Sequence, residues 1–121
     1  SYSTFLLSYF ARDRNSGRLP LVEAVRKLSS APAKMIGLHD RGIIAPGYRA
    51  DLNLIDFGRL GLRSPRVTYD LPGGGRRLVQ DAEGYLATIV NGIPVLRDDT
   101  PTGALPGRLV RGAQADPIAG R

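Results

Sequence analysis

The stretch Arg41–Asp56, RGIIAPGYRADLNLID, constrains the fold more than any other part of the chain. Ala45-Pro46-Gly47 marks a turn. Pro46 presets φ at about −65°, and Gly47 can take the positive φ that the third position of a type II turn needs. The strand signal follows at once. From Leu52 to Ile55, apolar and polar residues alternate with the period of a half-buried strand. The stretch therefore reads as a tight turn feeding a strand, with Asp51 and Asp56 at its two ends.

Upstream the pattern is helical. Phe5, Leu6, Tyr9 and Phe10 fall at helical spacing over residues 4–12, with Ser3 or Thr4 as the capping residue. Ser16-Gly17 interrupts. A second helix opens at Leu19-Pro20-Leu21, where a first-turn proline loses no intrahelical bond. Leu21, Val22, Val25 and Leu28 form its apolar stripe; Glu23, Arg26 and Lys27 form its wet face, with Glu23 and Lys27 in the favourable i, i+4 order. It stops near Ser29-Ser30. A short third helix is expected over Pro32–Ile36, ended by Gly37, with Ala31, Ala33, Met35, Ile36 and Leu38 packing it on the second.

Downstream the pattern is β. Ile43-Ile44, Leu52–Ile55, Tyr85–Val90 and Ile93–Arg97 read as strands, and Arg108-Leu109-Val110 as a short last one. Asn91-Gly92 is a strong hairpin turn signal. Pro94 places the following strand at an edge or delays its start. Residues 57–84, rich in Gly, Arg and Pro, read as one long irregular loop. Residues 113–121 read as a frayed tail. The resulting fold class is α+β: two to three helices, then a small, mostly antiparallel β domain. Its divisions are 1–40 helical, 41–112 β and 113–121 tail.

A lone hairpin with one more strand is marginal in water, and the apolar helix stripes cannot all satisfy one another. The chain reads as expecting another surface. Composition narrows its nature. In 121 residues there is room for one core. Cysteine is absent, so disulfides, thiolate metal sites and a Cys nucleophile are excluded, and a reducing, cytoplasmic setting is expected. No apolar run is long enough to span a membrane. The N-terminus carries no signal-peptide pattern and no initiator Met, which suggests a processed or truncated chain. The net charge of +6 suits an anionic partner. The arginines, however, are scattered, with only Arg76-Arg77 adjacent and no aromatic-rich RNA-binding pattern beside them, so nucleic acid is disfavoured.

The order of these features resembles the C-terminal region of amidohydrolase-superfamily enzymes, in the N-acyl-D-amino-acid deacylase (D-aminoacylase) branch. The residues that carry the resemblance start with Thr4-Phe5, then Leu19 to Leu28, LPLVEAVRKL, Ser30-Ala31-Pro32-Ala33 and Gly37-Leu38. They continue with Asp40-Arg41-Gly42-Ile43-Ile44, Pro46 to Leu52 (PGYRADL), Val90-Asn91-Gly92 and Thr102 to Arg108 (TGALPGR). The stretch around Tyr69-Asp70-Leu71-Pro72 departs from the familiar deacylases. The resemblance implies a parent enzyme with a (β/α)₈ barrel, zinc and a water that attacks an amide carbonyl. Residues 1–40 would be the end of that barrel, and 41–112 part of a composite β domain. The metal and catalytic residues of the family fall upstream of the matched region, so no catalytic, cofactor-binding or metal-ligating residue transfers to this chain. The expected partner is the remainder of such a hydrolase or a second copy of this chain. The alternatives are a free-standing dimerising module and, behind it, a basic nucleic-acid binder.

The remaining chemical candidates carry little. His39 is the lone histidine and lacks co-ligands at metal spacing. Asp51 follows a turn, where a carboxylate accepts backbone N–H groups or pairs with Arg41 or Arg49. Gly73-Gly74-Gly75-Arg76-Arg77 lacks the Lys and Ser/Thr offsets of a phosphate loop. Ser29 and Ser30, near Lys27, read as helix-end residues. Tyr2, Phe5, Tyr9 and Phe10 read as packing in the core or against a barrel.

Overall fold

The structure is a computed structural model that describes residues 1–118. Helix α1 (Tyr2–Phe5) continues without a break into a π-helix (Leu6–Asp13), followed by α2 (Leu21–Leu28) and α3 (Ser30–Met35). The first helix thus begins earlier than expected and widens after one turn. Neither Ser3 nor Thr4 caps it. Thr4 is buried instead, its hydroxyl 2.9 Å from the Tyr85 hydroxyl, and Ser8 donates to the Thr4 carbonyl at 2.9 Å. Such back-bonding competes with the regular ladder.

Pro20 is the residue before α2, extended at φ −54° and ψ 134°, rather than part of its first turn. Glu23 pairs with Arg26 at 2.8 Å, not with Lys27. The face of α2 that meets the chain's own core is that of Ala24, fully covered, whose small side chain permits close approach. Three of the four stripe residues point away: Leu21 and Val25 are exposed, and Val22 is 77% exposed. In α3, which starts at Ser30, Ala33 is buried while Met35 is 82% exposed and Ile36 is exposed too. The helix itself, the packing of Ala33 and the C′ position match: Gly37 sits at φ +77°.

The β part contains β1 (Leu52–Ile55), β2 (Gly61–Leu62), β3 (Arg66–Leu71), β4 (Gly75–Val79), β5 (Ala82–Glu83), β6 (Tyr85–Val90), β7 (Ile93–Arg97) and β8 (Thr100–Pro101). The main sheet runs β1-β6-β7-β8, antiparallel throughout. Leu52 faces Ile89, Asn53 faces Thr88 and Leu54 faces Ala87; a register shift then brings Ile55 opposite Tyr85. Asn91 and Gly92, at φ 51° and 80°, form the expected hairpin turn. Asp98 and Asp99, at φ 46° and 60°, form a second tight turn into β8. Pro94 lies in β7 at an irregularity in the ladder, where a missing N–H is tolerated.

Residues 57–84 are not an irregular loop. Gly61-Leu62 pairs with Ala82-Glu83, and beyond this short ladder β3 and β4 form a two-stranded arm. The glycine run is its turn: Gly73 and Gly74 take φ +70° and +71°. Composition suggested a loop because the turn glycines and surface arginines mask the alternation of Val67 and Tyr69 with Thr68 and Asp70. Ile43-Ile44 and Arg108–Val110, read as strands, lie in irregular backbone, and Ile44 and Leu109 are exposed. Nor is the tail frayed up to residue 118. The Gln114 N–H donates to the Gly37 carbonyl (2.8 Å), and the His39 N–H donates to the Gln114 carbonyl (3.2 Å). The Tyr48 hydroxyl donates to Asp116 at 3.0 Å. The rest of the expected tail, 119–121, lies outside the described residues.

The core is small and draws on both parts. Leu7, Ala24 and Leu60 are buried together, with Ala11, Leu19, Leu28, Ile55, Phe57 and Tyr85 packed around them. Gly84, at φ +94°, crosses the Leu60 backbone so closely that a Cβ would lie 2.8 Å from it. The chain exposes 8710 Å². A compact monomer of 13.0 kDa exposes about 6,300 Å².

Candidate functional site

The turn that organises the sequence is locked by charge. The Ala45–Tyr48 turn closes with a 3.2 Å bond from the Tyr48 N–H to the Ala45 carbonyl, and Gly47 sits at φ +89°. Arg41 holds Asp40 through two nitrogens, at 2.9 and 3.2 Å, and reaches Asp51 at 3.3 Å. Arg49 closes on Asp40 at 2.7 Å. The other oxygen of Asp51 accepts the Asn91 N–H at 2.8 Å, tying the start of β1 to the β6–β7 turn. Asp51 therefore does what its position after a turn suggests: it accepts a backbone donor and pairs with Arg41. The Arg41 guanidinium, aided by Arg49, holds the Asp40 carboxyl below its usual range, and Asp40 raises Arg41 in return. This network is a brace, with every carboxylate oxygen pointed at a cation or a backbone donor.

Other carboxylates are spent in the same way. Asp99 accepts the Gly84 and Tyr85 N–H groups at 3.1 and 2.8 Å and fixes the entry to β6. Asp56 accepts the N–H groups of Gly58 and Arg59, both at 3.1 Å. On the arm, Arg77 grips Asp70 through two 2.7 Å bonds, which keep that carboxyl far below its usual range. A cavity of about 890 Å³ lies between the N-terminal helix and the strands, beside Thr4, Arg59, Arg63, Asp81 and Tyr85. Asp81, of its lining, pairs with Arg66 at 2.8 Å.

Zinc needs three or four His, Cys or carboxylate ligands in one place. Among the described residues no three such side chains come together. His39 sits in the loop after α3. The residues present do not fit the ion that the family resemblance implies for a parent enzyme, and no metal-dependent step is assigned to them. Ser29 Oγ donates to the Val25 carbonyl at 2.6 Å and is a helix-end hydroxyl, not an activated nucleophile. Arg76 and Arg77 lie on β4 past the Pro72–Gly74 turn, which leads into a strand rather than a helix.

What the chain presents instead is apolar surface. Phe5 and Tyr9 stack at 5.1 Å between ring centroids, with Phe10 edge-on to both, yet Tyr2, Phe5 and Tyr9 are exposed. They do not pack in this chain's core. The outer residues of α2 and α3 add to this surface. On the arm, Val67 and Leu78 face each other across the ladder, with Tyr69 on the same face, while Thr68, Asp70 and Arg77 bond to one another on the other. Tyr69 and Leu78 are 70% and 71% exposed. Sequence reasoning missed Arg12, whose guanidinium donates to the carbonyls of Phe57 and Gly58 and staples the π-helix to the β part. It also missed Asp99; the Asp98-Asp99 pair that ends β7 was the available signal.

Helices preceding a small antiparallel sheet, and a braced Pro-Gly-x-x-Ala-Asp-Leu turn at its entry, define an α+β chain of amidohydrolase type. The chain belongs to the amidohydrolase family, whose model matches residues 3–96. Adenine deaminase 1 of Agrobacterium fabrum is 33% identical over 86% of this chain and 20% of its own length. D-aminoacylase of Alcaligenes xylosoxydans xylosoxydans is 32% identical over 87% of this chain and 19% of its own length. A crystal structure of D-aminoacylase superposes with a TM-score of 0.62 at 32% identity, covering 84% of this chain and 19% of that one. The chain thus spans about a fifth of the length of the relatives it matches.

Proposed function

We propose that this chain is a non-catalytic C-terminal portion of a zinc-dependent C–N hydrolase of the N-acyl-D-amino-acid deacylase kind. Its role is to close the end of the barrel with residues 1–40 and to complete a composite β domain with residues 41–112. The supporting observation is the pairing of two facts. Twenty large hydrophobic side chains are exposed, and no ligand set for the family's metal exists among the described residues. The apolar faces of α1, α2 and α3 suit a surface supplied by the remainder of the hydrolase. The D-aminoacylase likeness and an N-acyl-D-glutamate deacylase that is 33% identical over 81% of this chain support the deacylase reading. The purified chain, supplied with zinc, is expected to leave N-acyl-D-amino acids intact. Turnover above the zinc blank overturns the non-catalytic role. A reading frame continuing upstream of Ser1 is expected to encode a His-x-His pair.

The arm supports a second reading, a dimerising module, because both of its outer edges lack strand partners among the described residues. Sedimentation equilibrium separates the two: a defined two-copy species with the arm buried favours the module.

A further inference from the structure

A cavity of about 250 Å³ opens where the C-terminal segment passes the braced turn. Arg41, Arg49, Arg108, Arg111, Asn91 and Gln114 stand around it. The brace uses only part of this charge. Arg41 is committed to Asp40 and Asp51, and Arg49 gives Asp40 its Nε. Arg108 and Arg111 form no ion pair and no side-chain hydrogen bond among the described residues. Four arginines and the Asp51 carboxylate thus line one opening, and two of those arginines carry no ion pair among the described residues. Elsewhere, Arg26 of α2 and Arg66 and Arg77 of the arm are matched by acids close by, whereas Arg76 and Arg97 form no ion pair among the described residues.

We propose that this cavity is a binding site for a small phosphate compound with at least two negative charges. Guanidinium forks match phosphate oxygens two at a time, and such charge-assisted bonds are about twice as strong as neutral ones. The volume lies below the range of about 300–1,000 Å³ typical of sites for larger organic ligands. It suits one or two phosphoryl groups. Convergence on a single opening also distinguishes it from the extended basic stripe that nucleic acid requires. The site stands apart from the proposed hydrolase role and does not depend on it.

The test is calorimetric titration of the 121-residue chain with sodium pyrophosphate in about 0.15 M NaCl, where the Debye length of about 8 Å suppresses diffuse attraction to net charge. A saturable 1:1 isotherm is expected. Arg108→Ala with Arg111→Ala should weaken binding by about tenfold or more, the loss of one charge-assisted bond or better. Both residues lie in irregular backbone, so the far-UV circular dichroism should not change. Arg76→Ala with Arg97→Ala removes equal charge elsewhere and should shift affinity by less than about twofold. Arg108→Lys with Arg111→Lys keeps the charge but loses the forks, and should fall between. Citrate should bind more weakly than pyrophosphate. The proposal fails if no saturable heat appears, if the two alanine pairs weaken binding equally, if the lysine pair binds as tightly as the parent, or if citrate matches pyrophosphate.

Discussion

Gly84 holds a place that no other residue can fill without moving the chain. Its φ of +94° disfavours any Cβ, and the Leu60 backbone occupies the space that Cβ needs. Gly84→Ala is expected to cost about 1–3 kcal/mol, combining backbone strain and overpacking, read as a lower urea midpoint. Asp40 gives a second test, by pH. Its folded-state pKa is depressed, chiefly by Arg41, so its contribution is present above the unfolded value of about 4 and is lost as pH falls through the folded value. Acid should therefore destabilise the chain below about pH 4. Asp40→Asn should flatten that dependence and cost about 1–3 kcal/mol at neutral pH by leaving Arg41 and Arg49 underpaired. Of these residues, Asp51 was legible in the sequence, because a carboxylate after a turn has a narrow set of partners. Thr4 was not. Its place near the chain start suggested a cap, whereas its partner, Tyr85, lies 81 positions away.

Among the elements, the hairpin of β6 and β7 and strand β1 were readable from local chemistry alone: an Asn-Gly turn and a two-residue period. The family resemblance, carried by contiguous motifs, was legible for the same reason. The first helix kept its position but not its form. Sequence periodicity assumes that residues three and four apart share a face, whereas in the π-helix Arg14 bonds to Tyr9, five residues back. The arm shows the opposite failure, a regular element hidden by turn glycines. Its exposed face makes a distinct prediction. Val67→Thr with Leu78→Thr should move the urea midpoint by no more than about 0.5 kcal/mol equivalent, because neither side chain is covered in the isolated chain. A larger loss would mean that the arm folds back on the body.

For the whole molecule the deciding quantity is exposed surface. The chain shows about a third more than a compact protein of its mass, with apolar faces on all three helices. In isolation it should bind a hydrophobic dye such as ANS and scatter light with an apparent mass that rises with concentration. A clean monomer without dye binding would contradict that expectation. The sequence hinted at these uncovered faces through stripes too wide to satisfy one another, but it could not say which stripe turns inward; that depends on Ala24 meeting the π-helix. The shared core carries a last consequence. Leu60 comes from the β half, Leu7 and Ala24 from the helical half, and neither half assembles an interior by itself. Cleaving the peptide after residue 40 should yield two pieces that melt as one transition while associated and that lose their tertiary order once separated.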